Sequence, residues 1–260
     1  MAPPVEMIRG LPVSARTFDD TVRLLTAWVE HRGGTRSFAC INAHSAEVAH
    51  RDPRFMEALR AADLLVADGA GIVLASMILG GHIRERATGP DLFMAVSRAL
   101  DRLGGRSVFY LGGTPETLER IATRHRREFP NLAIAGLLAP PFRAAFSAED
   151  LASIDAAIHA AAPDVLWVGL GAPKQEKLLL DLRPRLAVPL CGPVGAMFDY
   201  FAGNVPMPPR WVERCGLHWL YRLIRNPGRL WRRNLDSPVF LARVTWDRFR
   251  ERRKHSAQGR

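Results

Sequence analysis

Between Ser37 and Gly203 the chain alternates short apolar runs with longer amphipathic stretches. The runs "SFACIN", "DLLVA", "SVFYLGG", "NLAIAGLLA" and "DVLWVGLG" are short and bounded by turn residues, which predicts buried strands. Between them lie stretches of helical period. "AHSAEVAHRDPRFMEALRAA" is one, broken at Pro53. "AGIVLASMILGG" ends at Gly80-Gly81, and "DLFMAVSRALDRLGG" has Asp91 as a possible cap. "PETLERIATRHRREF" follows Thr114, a cap with Pro115 at the first helical position. "SAEDLASIDAAIHAAA" opens on Ser147 and Asp150, an acidic form of the capping box. "APKQEKLLLDL" is the next helix, and "AVPLCGPVGAMFDYFAG" closes the series. Strands alternating with helices of this length predict a Rossmann-like α/β fold, with a mostly parallel sheet covered by helices on both faces.

Such a sheet binds ligands beyond the carboxyl ends of its strands. The residues there are Asn42, Asp68-Gly69, Gly112-Gly113-Thr114, the stretch from Gly169 through Gly171 to Gln175, and Gly192 to Gly195. Glycines that open helices let a backbone approach a phosphate, although glycine after a strand is more often turn chemistry. No GxGxxG with a correctly spaced acidic residue is present, which disfavours a dinucleotide-dependent oxidoreductase on the same fold.

Charge divides the chain. Net charge is +10, and residues 206–260 hold 14 Lys/Arg against 4 Asp/Glu, so 1–205 are neutral. The same segment carries Trp211, Trp219, Trp231 and Trp246, four of the six Trp. We therefore expect a globular body, 1–205, and a basic appendage, 206–260. An arginine stripe and a Trp/Leu face fit an interfacial helix on anionic lipid. A nucleic-acid arm, or a helix packed on the body, has a similar composition. No run of apolar residues is long enough to span a membrane, and the first twenty residues lack a signal-peptide pattern. Cys40, Cys191 and Cys215 form no CxxC, and the eight His show no metal-ligand spacing. Ser45 and Ser76 lack a nucleophile-elbow frame. The expected location is cytoplasmic.

Six ordered blocks sharpen this. They are "NAHSAEVAHRDPRFMEALRAADLLVADGAGIV", "RERATGPDLF", "VFYLGGTPETLERIA", "VGLGAPKQEKLL", "GPVGAMFDYFAGNVPMPPRWVERCGLHWLYRL" and "NPGRLWRR". Together they resemble the WecG/TagA/CpsF family of bacterial glycosyltransferases, from about Asn42 to Arg233. The resemblance implies an inverting transfer from a UDP-sugar, with no metal or other cofactor. The implied acceptor is a polyprenyl-pyrophosphate-linked sugar at the inner face of the cytoplasmic membrane, in cell-surface polysaccharide synthesis. N-acetylmannosamine, its uronic acid and glucose are the sugars such proteins move. Nucleic acid is then not an expected partner. The family's base falls on Asp68, whose bland alternative is a helix cap. Asn42 would bind sugar hydroxyls or cap a helix. Arg86 would offset charge on the leaving UDP, while Arg84 and Glu85 read as a solvated loop. Gln175 would meet a uracil edge or a sugar, or else lie on the helix surface. Arg222 and Arg225 of the appendage are candidates for pyrophosphate. The family carries Thr two residues before this Asn, where Cys40 replaces the hydroxyl with a thiol.

Overall fold

A computed structural model describes residues 5–206 and 236–250. The strands are β1 (Val5–Ile8), β2 (Leu11–Ser14), β3 (Arg36–Ile41), β4 (Leu64–Ala67), β5 (Arg106–Gly112), β6 (Leu132–Leu138), β7 (Val165–Gly169) and β8 (Leu190–Pro193). They form one sheet in the order β1-β2-β4-β3-β8-β7-β5-β6. β1 pairs antiparallel with β2, and every other pairing is parallel. The helices are α1 (Phe18–His31), α2 (Ala43–Arg51), α3 (Pro53–Ala61), α4 (Ala70–Leu79), α5 (Gly89–Leu103), α6 (Pro115–Glu128), α7 (Ala148–Ala161), α8 (Lys174–Leu182) and α9 (Met197–Phe201). A tenth, α10, covers 236–250.

The doubly covered parallel sheet expected from the alternating pattern is present. Successive strand residues enter opposite cores, as a period of two requires. Phe38, Leu64, Val66, Val108, Tyr110, Val165 and Trp167 join α1, α5, α6 and α9 on one face. Ala39, Ile41, Leu65 and Ala67 join α2, α3, α4 and α10 on the other. Phe109, Leu111, Leu166 and Val168 meet α7 and α8 in a third cluster. Phe93 sits 5.1 Å from both Trp167 and Phe201 between ring centroids. Buried aromatics of this kind remove about 150–250 Å² each from water, at about 25 cal/mol per Å².

Local chemistry explains the boundaries. Asp52 closes α2 and also caps α3, its carboxylate accepting from Phe55 N, so the break at Pro53 is a shared cap. Ser147 and Asp150 form a complete capping box on α7. One cap differs from expectation. Thr88, not Asp91, is the N-cap of α5, and the Asp91 carboxylate accepts from the Thr88 hydroxyl at 2.6 Å. The β1–β2 hairpin and α1 were not anticipated.

Of the segment expected as an appendage, Pro206 and α10 are described. α10 buries Phe240 and Val244 in the α2–α4 core. Its Arg243 pairs with Glu47 of α2, and its Asp236 accepts from or pairs with His44 Nδ1 at 2.5 Å. Arg9 reaches Asp247 at 2.5 Å. Among the described residues, no helix is long and apolar enough to cross a membrane.

Candidate functional site

The direction of strand addition reverses between β3 and β8: β4 and β2 lie on one side, β7, β5 and β6 on the other. That is where a doubly wound sheet opens a crevice. Asp68 and Asn42 follow β4 and β3, Gly195 lies just beyond β8, and Gly169 and Gly112 end β7 and β5. The strand-end residues read from the sequence therefore share one edge of the sheet.

Asp68 is held by its backbone. Its N–H donates to the Ile41 carbonyl at 2.7 Å. The N-cap of α4 is Gly69, at φ 105°, a conformation that favours glycine. Asp68 thus stands one residue outside the helix, half-buried, and is not its N-cap. Asn42 does take the capping role. Its Oδ1 accepts from Ser45 N at 2.9 Å, and Ser45 Oγ accepts from Asn42 N at 2.8 Å. The reciprocal box fixes the Asn42 side chain beside Asp68. An added Cβ on Gly69 would lie 4.0 Å from Asn42 Cβ.

Arg86 arrives from the loop between α4 and α5. Glu6 accepts from Ile83 N at 3.1 Å at one end of this loop. At the other end Ala87 N donates to Ala67 O at 2.8 Å. Arg86 and Asp68 flank that hydrogen bond, one residue from each partner. Glu85 is not simply solvated, because its carboxylate accepts from Phe18 N at 2.8 Å, at the start of α1. An anion there meets the positive end of the helix dipole.

The glycines divide by what surrounds them. A Cβ on Gly112 would fall 2.5 Å from Gly169 O, and one on Gly169 would fall 2.3 Å from Phe198 Cγ. These two positions are glycine because β5, β7 and α9 pack too closely for a side chain. Gly113 is exposed, at φ 70°. Gly171, at φ 76°, has nothing within 4 Å of an added Cβ. Of these four, only Gly171 leaves open space over the strand ends, since an added Cβ on Gly113 would lie 3.2 Å from Thr117 Cγ2.

Gln175 is buried rather than on the helix surface. Its Oε1 accepts from Gly171 N at 3.2 Å and its Nε2 donates to Glu176 Oε1 at 2.9 Å. The side chain shapes the turn after β7. Glu176, in the first turn of α8, is 5% exposed, and its Oε2 has no hydrogen-bond partner among the described residues. Burial pushes its carboxyl up to about 7, against the opposing hydrogen bond from Gln175. No spacing in the sequence distinguishes this glutamate from a solvated first-turn one.

Cys40 is half-buried as a residue, with its thiol enclosed. Burial first, then the charges of Asp68, Glu176 and Asp91, hold its thiol well above the ordinary range. It is a neutral, space-filling group and not a thiolate nucleophile. Among the described residues, no group of three or more His, Cys, Asp or Glu is arranged to hold a metal ion. Arg222 and Arg225 lie outside the described residues.

A parallel sheet with a switch point and a carboxylate on a glycine turn at its strand ends places the chain among doubly wound α/β proteins, which take their ligands at that edge. Its family is a narrower matter. The profile described as "Glycosyl transferase WecG/TagA/CpsF family" matches residues 6–254, and the chain belongs to that family. It is 31% identical over 240 residues to a Bacillus spizizenii protein named N-acetylglucosaminyldiphosphoundecaprenol N-acetyl-beta-D-mannosaminyltransferase, covering 90% of each chain. A Bacillus subtilis protein of the same name is 29% identical over 204 residues, covering 78% of this chain and 77% of the relative. The expected glycosyltransferase family is thereby confirmed, and the match extends further toward both ends than the six blocks did.

Proposed function

We propose that this glycosyltransferase moves a hexose-type sugar from a UDP-sugar to a polyprenyl-diphosphate-linked sugar, with inversion at the anomeric carbon. N-acetylmannosamine, its uronic acid and glucose are the candidates. The observation that carries this reading is the fixed position of Asp68 at the end of β4, where the Ala87–Ala67 hydrogen bond brings the backbone next to Arg86 to the same strand end. An Asp68 oxygen takes the proton of the acceptor hydroxyl as that oxygen forms a bond to the anomeric carbon. The bond from that carbon to UDP breaks, and its electron pair passes to the diphosphate. The Arg86 guanidinium offsets the charge that develops there, so the transfer needs no divalent metal. Backbone N–H groups of the turns after β5 and β7 add to this role, the second turn being braced by the bond from Gly171 N–H to Gln175 Oε1. Asn42, with its Oδ1 committed to the cap, offers its Nδ2 to a sugar hydroxyl.

The acceptor's lipid places the enzyme on the cytoplasmic leaflet as a peripheral protein. Leu74 and Met77 of α4 and Trp246 and Phe249 of α10 are exposed apolar side chains that support this. The two helices meet where Arg248 of α10 donates to the Ile78 carbonyl of α4. Such a surface, with basic residues around it, suits anionic lipid.

The test is a UDP-release screen over purified UDP-sugars with a short-chain diphosphate-linked N-acetylglucosamine acceptor, run with and without a chelator. Release that depends on acceptor and survives the chelator is the expected result. Activity abolished by chelator and restored by magnesium or manganese would overturn the metal-independent mechanism. Acceptor-independent release would overturn the transfer.

A further inference from the structure

Along α5 the structure holds a groove of about 370 Å³, lined by Phe18, Arg86, Asp91, Met94, Ala95 and Arg98. Four of these are spaced i, i+3, i+4 and i+7, which puts them on one stripe of α5 over two turns, about 10 Å long. Phe18 closes the opposite wall, held in place by the Glu85 carboxylate on its N–H. The inner end begins at Arg86 and Asp91, next to the first turn of α5, where Ala87 ties the chain to the end of β4. The outer end is Arg98, an exposed guanidinium that no other part of the site uses.

We infer that this groove is the acceptor subsite, with the acceptor's sugar at the inner end and its diphosphate at Arg98. This rests on the proposed function and deepens it. The chemistry changes along the groove in the order the acceptor requires. The Asp91 carboxylate, fixed by the Thr88 hydroxyl, accepts hydroxyls but repels a phosphate. The sugar therefore belongs beside it, with the reacting hydroxyl toward Asp68. Phe18 and Met94 offer apolar surface to a sugar ring face. Arg98 lies beyond them, where a planar guanidinium can grip diphosphate oxygens. Arg86 stands where this subsite meets the donor's. At about 370 Å³ the groove is near the lower end of small-molecule pockets, which span roughly 300–1,000 Å³. The open turn at Gly171, which suits a nucleotide diphosphate, follows β7, and β3 and β8 separate that strand from β4.

The experiment pairs turnover with direct binding, using the full chain, Arg98→Gln and Arg98→Lys. Two acceptors carry the same N-acetylglucosamine, one on a short-chain prenyl diphosphate and one on a neutral alkyl group. Arg98→Gln should raise KM and weaken calorimetric affinity for the diphosphate acceptor by about 10- to 100-fold, the weight of a charge-assisted contact. Donor KM and the KM for the neutral acceptor should stay within about twofold, and Arg98→Lys should recover part of the loss. Arg98 is exposed, so the variants should fold normally. An unchanged diphosphate-acceptor affinity in Arg98→Gln overturns the inference, as does an equal loss for both acceptors or a loss confined to the donor. Arg98-dependent binding without any transfer would instead leave the subsite standing and remove the proposed reaction. Wild-type protein that neither binds nor transfers removes both.

Discussion

Asp68 and Ile41 are joined by a 2.7 Å hydrogen bond from the Asp68 N–H to the Ile41 carbonyl. The bond locks the turn after β4 against the end of β3. It holds Asp68 beside Asn42, one residue outside α4, whose N-cap is Gly69. Asp68→Asn keeps the backbone bond and the side-chain size but removes the base. Turnover should fall on the order of 10²–10⁴-fold while UDP affinity and Tm stay near wild type. Retained turnover together with a lowered Tm would show that the carboxylate serves the fold instead.

Glu176 makes a prediction about pH. Its carboxyl is raised from an ordinary 4.5 to about 7 by burial, so the folded chain holds this proton more tightly than the unfolded chain does. Its contribution to stability therefore declines as pH rises from about 4.5, and the full penalty is present above about 7. Glu176→Gln removes the titration and keeps an acceptor for Gln175 Nε2. Compared with wild type, the variant should gain stability steadily across that window, by about 3 kcal/mol at most, and then run parallel. Denaturant melts at several pH values measure this. A difference between the two proteins that is flat from pH 4 to 8 would show that Glu176 does not titrate in the fold.

The two kinds of glycine should respond oppositely. Gly169→Ala puts a methyl 2.3 Å from Phe198 Cγ, so β7 or α9 must shift. It should cost about 1–3 kcal/mol, as overpacking does, before any ligand is added. Gly171→Ala meets no atom within 4 Å, and only its φ of 76° is unfavourable, by about 1–2 kcal/mol. Its larger effect should be on UDP affinity, because the methyl projects into open space over the strand ends. Thermal melts with and without UDP separate the two. Equal UDP stabilisation of Gly171→Ala and wild type would remove this turn from the donor site.

The sequence made the sheet legible from β3 onward because its strands are short apolar runs, buried on both faces in "LLVA" and "VLWVG". The N-terminal hairpin gave no such signal. Val5 and Met7 are exposed and Pro12 lies inside β2, so the segment reads as neither a strand nor a helix. Asp68, Asn42 and the glycine turns were readable because a parallel sheet dictates where its strand ends lead. The burial of Glu176 was not, because a carboxylate in the first turn of a helix is ordinarily solvated, and here tertiary packing encloses it. Nor was the groove on α5, since Phe18 comes from more than seventy residues upstream of Asp91.

α10 makes the last prediction, because its two faces have different work. Phe240 is 0% exposed and Val244 1%, both in the core with Ile8, Leu11 and Ala43. Trp246 and Phe249 are each 61% exposed, on the opposite face of the helix. Phe240→Ala should cost about 3–5 kcal/mol, the range for a buried aromatic in a core. A truncation after Asn204 should be destabilised as well, since it also strips Arg243 from Glu47, which is itself fully buried. Its inactivity would not by itself show that the tail contributes to catalysis. The exposed face can be tested without that confusion. Trp246→Ser with Phe249→Ser should leave stability within about 0.5 kcal/mol per site, as for surface changes. The same variant should sediment less with vesicles of anionic lipid than the wild type does, and added salt should release both proteins, since attraction between basic residues and lipid is screened over about 8–10 Å. Its turnover should fall on a long-chain lipid acceptor but not on a short-chain soluble one. Unaltered sedimentation in the double variant would place the membrane contact elsewhere on the chain. Full-length protein that ignores anionic vesicles and binds single-stranded DNA at physiological salt would overturn the peripheral-membrane reading.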